Sequence, residues 1–271
     1  MPQFQTILLI GCGNMAGAML EGWLAAGLEP ARFTVVEPSD KALPGGIIRL
    51  TSIPQSGTFD AILLGVKPQL LGAIAPGVAM LAGGATILSL LAGVELATLA
   101  ESFPGAAAHV RVMPNLAVAL GKAPIALAGR GLDEPGRAAL VGLLKPLGAP
   151  DWVGEAEFDL VTALAGSGPA FVYRFIDALA VAAAGLGLPR EQANRMALAM
   201  VEGAAALAAV SPDSPGTLAD RVASKGGMTR EGLDVLDANG ALVALITATL
   251  RAARDRGAEL AAEARKPLDQ R

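Results

Sequence analysis

The predicted fold class is α/β followed by all-α, with the change at about residue 155. Three observations predict it. Residues 6–19, TILLIGCGNMAGAM, read as a buried strand, a glycine turn and the start of a helix. Strand-like runs then alternate with helical stretches as far as Trp152-Val153. Beyond Glu155 no strand-like run separates the helices. The first domain is therefore set at residues 1–155 and the second at 156–271.

The opening stretch has a mechanical logic. Ile7, Leu8, Leu9 and Ile10 form an apolar run that breaks at Gly11-Cys12-Gly13. Gly11 lets the chain turn off the strand, and Gly13 lets a pyrophosphate approach the backbone. The helix that follows offers free N–H groups and the positive end of its dipole to that phosphate. Ala16 at the third glycine position is small enough for close helix–strand packing. This unit predicts a Rossmann-like dinucleotide-binding domain.

The remaining elements follow in order. The first helix covers about 14–26, with Gly27 as its C-cap. Phe33–Glu37 is the second strand, and Glu37 lies where such folds hold the adenosine ribose. A carboxylate there accepts hydrogen bonds from a 2′-hydroxyl and repels a 2′-phosphate. A weak third strand lies near Ile47–Leu50 and a clear fourth at Asp60–Val66. Lys67-Pro68 leads into a helix to about Leu81, because proline suits a first helical turn. Thr86–Leu90 and Ala108–Val112 are strands, with a short helix near Glu95–Ser102 between them. A further strand lies in 121–128, a helix near Asp133–Leu147 and a short strand at Trp152-Val153. Lys67, Ser89 and Asn115 all fall at carboxyl ends of strands, the edge at which parallel sheets bind ligands.

In the second half, Pro169 stands at the first position of a helix whose Val172, Phe175, Ile176 and Leu179 recur at helical spacing. Helices follow from Pro189 to about Ala208, at 217–223, at 229–238 and at 241–265, and the tail 266–271 is polar and frayed. This half is rich in Ala and Gly and poor in aromatics, so its apolar faces call for a second subunit.

Composition excludes several classes. Aromatics at 4% and a net charge of −4 argue against nucleic acid as a partner. One cysteine and one histidine exclude an internal disulfide and an ordinary zinc or haem site, so no metal is expected. His109 lies on a buried strand and Cys12 inside the glycine turn, both read as structural. The N-terminus has no basic region or cleavage site, which points to the cytoplasm. The uncharged stretch 68–94 is cut by Pro76, Gly77, Gly83 and Gly84 into pieces too short to span a membrane.

Six segments, GCGNMAGAML (11–20), VKP (66–68), SLLAGV (89–94), RVMPN (111–115), ALAGSGPAFVY (163–173) and LADRVASKGGMTREGL (218–233), together resemble the pyrroline-5-carboxylate reductases. The resemblance runs through nearly the whole chain, and its last two segments are the most specific. It implies hydride transfer from NADPH or NADH to a cyclic imine, yielding proline. It also implies a C-terminal helical dimerisation domain that interlocks with its twin, and in some members a ring of dimers. The glycine-turn reading and the resemblance together put the cofactor against Gly11, Cys12, Gly13, Asn14, Met15, Glu37, Val66, Lys67, Pro68, Ala92, Gly93 and Asn115. Glu37 leans the choice toward NADH.

The resemblance puts the substrate on Ser224, Lys225, Gly226, Gly227, Met228 and Thr229. Two glycines precede Thr229, a good N-cap, and the N–H groups of Gly227, Met228 and Thr229 would converge on a substrate carboxylate. Thr229 matches the family's threonine, whose hydroxyl serves the ring nitrogen. Two departures stand out: Lys225 where the family has proline, and Leu116-Ala117 where it has Thr-Pro. A β-hydroxyacid-dehydrogenase-like reductase stays open, although no lysine between Lys145 and Lys225 offers its catalytic residue. A non-catalytic nucleotide-binding homologue stays open as well.

Overall fold

The computed structural model describes residues 4–264. They divide into two compact units, one made of the residues up to Ser167 together with those from Ala252 onward, the other of Gly168–Arg251. The compact units thus differ from a boundary at 155/156. Glu155 and Asp159 explain the difference, because both carboxylates reach Arg111 of the sheet, each at 3.5 Å.

The first unit is an eight-stranded sheet of β1 (Ile7–Ile10), β2 (Phe33–Val36), β3 (Ile48–Leu50), β4 (Ala61–Leu64), β5 (Thr86–Ser89), β6 (Ala108–Met113), β7 (Ala123–Arg130) and β8 (Gly148–Trp152). The order is β3-β2-β1-β4-β5-β6-β7-β8. All pairs are parallel except β6 with β7. That pair is joined by a short 3-10 turn over Leu116–Leu120, too short for the crossover a parallel pair needs. Ile7–Ile10 and Ala61–Leu64 are buried on both faces, as their unbroken apolar runs require. β3 is an exposed edge strand, which is why its sequence signal is weak.

Two apolar cores flank the sheet. One gathers Leu9, Val35 and Leu63 under α1 (Asn14–Ala25) and α4 (Glu134–Leu144). The other gathers Ile10, Ile62 and Ile87 under α2 (Leu71–Ala79) and α3 (Leu96–Ser102). In the first, Trp23 stacks on Phe33 at 5.5 Å and its indole N–H donates to the Leu143 carbonyl at 2.8 Å. α1 ends one residue earlier than expected, with Ala26 as its C-cap; Gly27 follows the cap, takes the left-handed φ of +87° and lets the Leu28 N–H reach back to the Trp23 carbonyl. The helix expected from Pro68 is instead a 3-10 turn, Pro68–Leu70, running into α2. With no side chain capping its start, the turn closes by the tighter Leu70 N–H to Lys67 carbonyl bond at 2.9 Å. His109 is buried, its Nε2 3.0 Å from the Phe103 carbonyl oxygen.

After α5 (Phe158–Val161) the chain makes a π turn over Thr162–Gly166. The helices of the second unit are α6 (Gly168–Gly185), α7 (Arg190–Val210), α8 (Pro215–Val222), α9 (Met228–Asp237) and α10 (Ala241–Ala264), the last continuing into the first unit. Pro169 is the second helical residue of α6, because Gly168 already has helical geometry. The core of this unit is small: Ala180, Ala193 and Ala197 with Ile176, Leu179 and Leu188 around them. Tyr173, Phe175, Met200, Leu207, Val243 and Leu245 are exposed. α7 and the run Met228–Ala262 are long and apolar enough to cross a membrane by length and composition alone. The tail 266–271 lies outside the described residues.

Candidate active site

The order of the sheet reverses at β1, where the chain runs outward to β2 and β3 and then returns to β4 on the other side. Such a switch point opens a crevice at the carboxyl ends of the two strands. Gly11 and Gly65 make the crevice possible. A Cβ on Gly65 would stand 2.7 Å from the Gly11 carbonyl oxygen and 2.8 Å from Ala16 Cβ. A Cβ on Gly11 would stand 2.9 Å from Val66, in a backbone of φ +85°. Gly13 differs: a Cβ there would meet no protein atom within 4 Å, so the space beside it is open. Gly13 is also the N-cap of α1, with no side chain on the helix's first N–H groups. An open glycine before an uncapped helix fits a dinucleotide pyrophosphate.

A cavity of about 890 Å³ lies over this turn. Of the residues expected to hold the cofactor, Gly11, Cys12, Gly13, Glu37, Val66 and Lys67 line it. Asn14 and Met15 open α1 beside Gly13, and Pro68 opens the 3-10 turn that follows Lys67. Sequence reasoning missed the far wall, which includes Thr51, Ile53, Leu70 and Ile74. These come from the stretch after the weak third strand and from the turn and helix after Pro68, and only the sheet order brings them to Gly11.

Glu37 is held firmly. Its Oε1 accepts from the Ser39 hydroxyl at 2.7 Å and the Ser39 N–H at 3.0 Å, and its Oε2 from the Cys12 N–H at 3.0 Å. The Ser39 hydroxyl bond foremost, then the two backbone N–H groups and the Lys41 charge, hold its carboxyl below the usual range against an opposing push from burial. The Lys41 ammonium donates to the Cys12 carbonyl at 2.7 Å. Arg32, another cation near in sequence, donates to the Phe4 carbonyl. Burial raises the Cys12 thiol, which fits packing rather than reactivity.

Six of the twelve expected cofactor residues fall outside the lining of this cavity: Asn14, Met15 and Pro68, which adjoin lining residues in the chain, and Ala92, Gly93 and Asn115, which do not. Ala92 and Gly93 follow the carboxyl end of β5, and a Cβ on Gly93 would stand 2.9 Å from the backbone of Leu260 and Ala261. Its glycine serves the packing of α10. Asn115 has both ends of its amide engaged: Oδ1 accepts from the Ala117 N–H and Nδ2 donates to the Ala165 carbonyl, each at 2.9 Å. It caps the 3-10 turn and pins the π turn.

The expected substrate loop lies in the second unit. Ser224, Lys225, Gly226, Met228 and Thr229 are exposed. Gly226 takes φ +71°, so the chain turns early and α9 begins at Met228. Thr229 is therefore not the N-cap, a place held by Gly227. The Gly227 N–H is also not free, since it donates to the Ser224 carbonyl at 3.0 Å. The N–H groups of Met228 and Thr229 open a helix with no side-chain cap. Arg230 brackets the loop, donating to Asp220 at 2.9 Å and to the Ala223 carbonyl at 3.4 Å.

A parallel sheet with an open glycine turn at its switch point and a carboxylate after the neighbouring strand defines a dinucleotide-binding protein, here with a helical second unit. Comparison with known proteins narrows the class. Residues 155–260 match the family model described as pyrroline-5-carboxylate reductase dimerisation. The chain is 36% identical to a pyrroline-5-carboxylate reductase of Synechocystis over 93% of its own length and 97% of the relative's. A solved pyrroline-5-carboxylate reductase from Coxiella burnetii is 28% identical with a TM-score of 0.86, covering 95% of this chain and 98% of that one. A Plasmodium falciparum pyrroline carboxylate reductase solved with NADP bound shares the fold at 22% identity and a TM-score of 0.80, covering 96% of this chain and 99% of the other. The chain belongs to the pyrroline-5-carboxylate reductase family.

Proposed function

We propose that this protein reduces 1-pyrroline-5-carboxylate to L-proline, the last step of proline biosynthesis, taking hydride from a nicotinamide dinucleotide with NADH preferred. The observation that carries the reading is the cavity over Gly11–Gly13 in a chain akin to these reductases along nearly its whole length. When bound, the dihydronicotinamide supplies the hydride. The protonated imine is already electrophilic, and its C=N pair becomes the nitrogen lone pair as the carbon is reduced. No strong acid is needed, so positioning is the protein's main task.

Gly11, Gly13 and the start of α1 hold the pyrophosphate, and Glu37 faces the adenosine ribose. The N–H groups of Met228 and Thr229, with the positive end of the α9 dipole behind them, hold the substrate carboxylate. The Thr229 hydroxyl serves the ring nitrogen. The family match over 155–260 supports self-association through the helical unit, and the exposed apolar faces of α6, α7 and α10 give it a physical motive. We read α7 and α10 as subunit-facing rather than membrane-crossing, in a cytoplasmic dimer or ring of dimers.

The test is NADH consumption on addition of 1-pyrroline-5-carboxylate, with proline identified as product. Oxidation of 3-hydroxyacids with NAD in its place would replace the imine-reductase reading with a hydroxyacid-dehydrogenase activity. Binding of cofactor without turnover of either substrate would make it a non-catalytic homologue.

A further inference from the structure

The loop after β5, residues 90–95, is braced by groups remote from it in sequence. No side-chain bond from Glu95, the N-cap of α3, closes the start of that helix. The cap comes instead from Glu155, whose Oε1 accepts the Leu96 N–H at 2.7 Å across 59 residues. The same oxygen lies 3.5 Å from the Arg111 guanidinium. Arg111 stands on β6 with 4% of its side chain exposed, 4.0 Å over the Phe158 ring, and also faces Asp159 at 3.5 Å. A guanidinium buried this deeply keeps its carboxylate partners close, so it fixes Glu155 against the end of the loop. In the middle of the loop Gly93 takes φ +74°, with the backbone of Leu260 and Ala261 2.9 Å from where its Cβ would stand. Leu91 and Val94 on either side are buried. Arg111 and Glu155 line no part of the cavity over the glycine turn.

We propose that the Arg111–Glu155 pair is a positioning device for the nicotinamide half of the cofactor, acting through the loop after β5. The sheet order supplies the reason. Glu37 follows β2, so the adenosine half lies on that side of β1. A dinucleotide centred on Gly13 extends its other half across β4 toward β5. The loop there carries Ala92 and Gly93, both expected at the cofactor. A loop left to order itself would lose conformational entropy when the cofactor arrives, and that loss would weaken binding. The Glu155 cap and the α10 backbone behind Gly93 order it beforehand. Neither Glu155 nor Arg111 touches cofactor or substrate in this scheme; both act through the loop.

The inference rests on the nicotinamide-dinucleotide reading, so its test separates the two halves of the cofactor. Calorimetry with NADH and with 5′-AMP, which lacks the nicotinamide half, is run on the full chain as wild type, Glu155→Ala, Glu155→Gln and Glu155→Asp. Asp159 still faces Arg111 in every variant, so the buried guanidinium keeps a partner. Glu155→Ala should weaken NADH binding by about tenfold, the size of one lost hydrogen bond to a charged group, and leave 5′-AMP affinity as it is. Glu155→Gln keeps an acceptor oxygen for the Leu96 N–H and should restore most of the NADH affinity. Glu155→Asp is a methylene too short to reach Leu96 and Arg111 together, so it should share the alanine defect and decides the matter should the alanine variant fail to fold. In turnover, KM for NADH should rise in Glu155→Ala while KM for the imine holds. Equal losses of NADH and 5′-AMP binding would make Glu155 a general stabiliser and overturn the positioning role. Unchanged NADH affinity in Glu155→Ala and Glu155→Asp, with 5′-AMP still bound, overturns it as well. A wild type that binds neither nucleotide overturns the dinucleotide reading and the brace with it.

Discussion

The Glu37 carboxylate accepts the Cys12 N–H at 3.0 Å, so the end of β2 and the glycine turn after β1 form one rigid rim. Acid and turn therefore fix a negative charge at the cavity wall, with the carboxyl held below its usual range by the Ser39 hydroxyl; in the proposed cofactor pose this charge faces the adenosine ribose. The wild type should show a higher kcat/KM with NADH than with NADPH. Glu37→Ser should narrow or reverse that ratio in steady-state assays with both cofactors. A wild type that already prefers NADPH, with a ratio untouched by the substitution, would mean that Glu37 does not face the ribose.

Two glycines separate folding from binding. At Gly65 a Cβ would press on the Gly11 carbonyl and Ala16, whereas at Gly13 it would meet open space. Gly65→Ala should lower stability by about 1–3 kcal/mol, the usual cost of overpacking. Gly13→Ala should leave the urea midpoint nearly unchanged and weaken cofactor binding. Paired denaturation and cofactor titrations check this, and equal loss of stability at both sites would contradict it.

Thr229→Ala should lower kcat/KM for the imine by roughly ten- to a thousandfold, the range for a lost oriented hydrogen bond or proton relay. Cofactor affinity should hold. Unaltered kcat/KM, or a defect confined to cofactor binding, would remove Thr229 from the substrate site.

His109 should make the fold acid-sensitive. Burial, with a smaller contribution from the Arg130 charge, lowers its pKa against the opposing Phe103 carbonyl bond. The native state thus releases the proton more readily than the unfolded chain. Above about pH 6.5 both states are neutral and the residue adds no pH dependence. As pH falls below that value the unfolded chain takes up the proton first, and stability is lost until the native histidine also titrates. Urea midpoints of wild type and His109→Gln across this window should diverge toward acid, with the wild type losing more.

Much of this was legible in the sequence, for physical reasons. Ile7–Ile10 and Ala61–Leu64 are buried on both faces and so appear as unbroken apolar runs. The glycine turn announces itself because only glycine fits beside Val66 at φ +85°. Ile48–Leu50 is exposed at the sheet edge and carries almost no pattern, so the cavity wall beyond it, Thr51 and Ile53, was not legible. Thr229 looked like a cap because threonine is a common one, but Gly226 turns the chain earlier and gives Gly227 that place. Asn115 was found as a polar residue at a strand end, yet no local pattern reveals that Ala165, fifty residues on, takes its amide N–H.

The helical unit should exist as a dimer at low micromolar concentration. Its core of three buried alanines leaves Tyr173, Phe175, Leu207 and Leu245 exposed in a single chain. An interface above roughly 2,000 Å² is the size such obligate pairs bury. Sedimentation should show no monomer, and a stable, active monomer would contradict this.

The most direct test of the whole account is a single steady-state measurement. Purified protein, NADH and 1-pyrroline-5-carboxylate are mixed, and NADH loss is compared with proline formed. The account predicts saturable turnover with one proline made per NADH consumed, and none with 3-hydroxyacids and NAD. Absence of proline while 5′-AMP still binds the protein would contradict it.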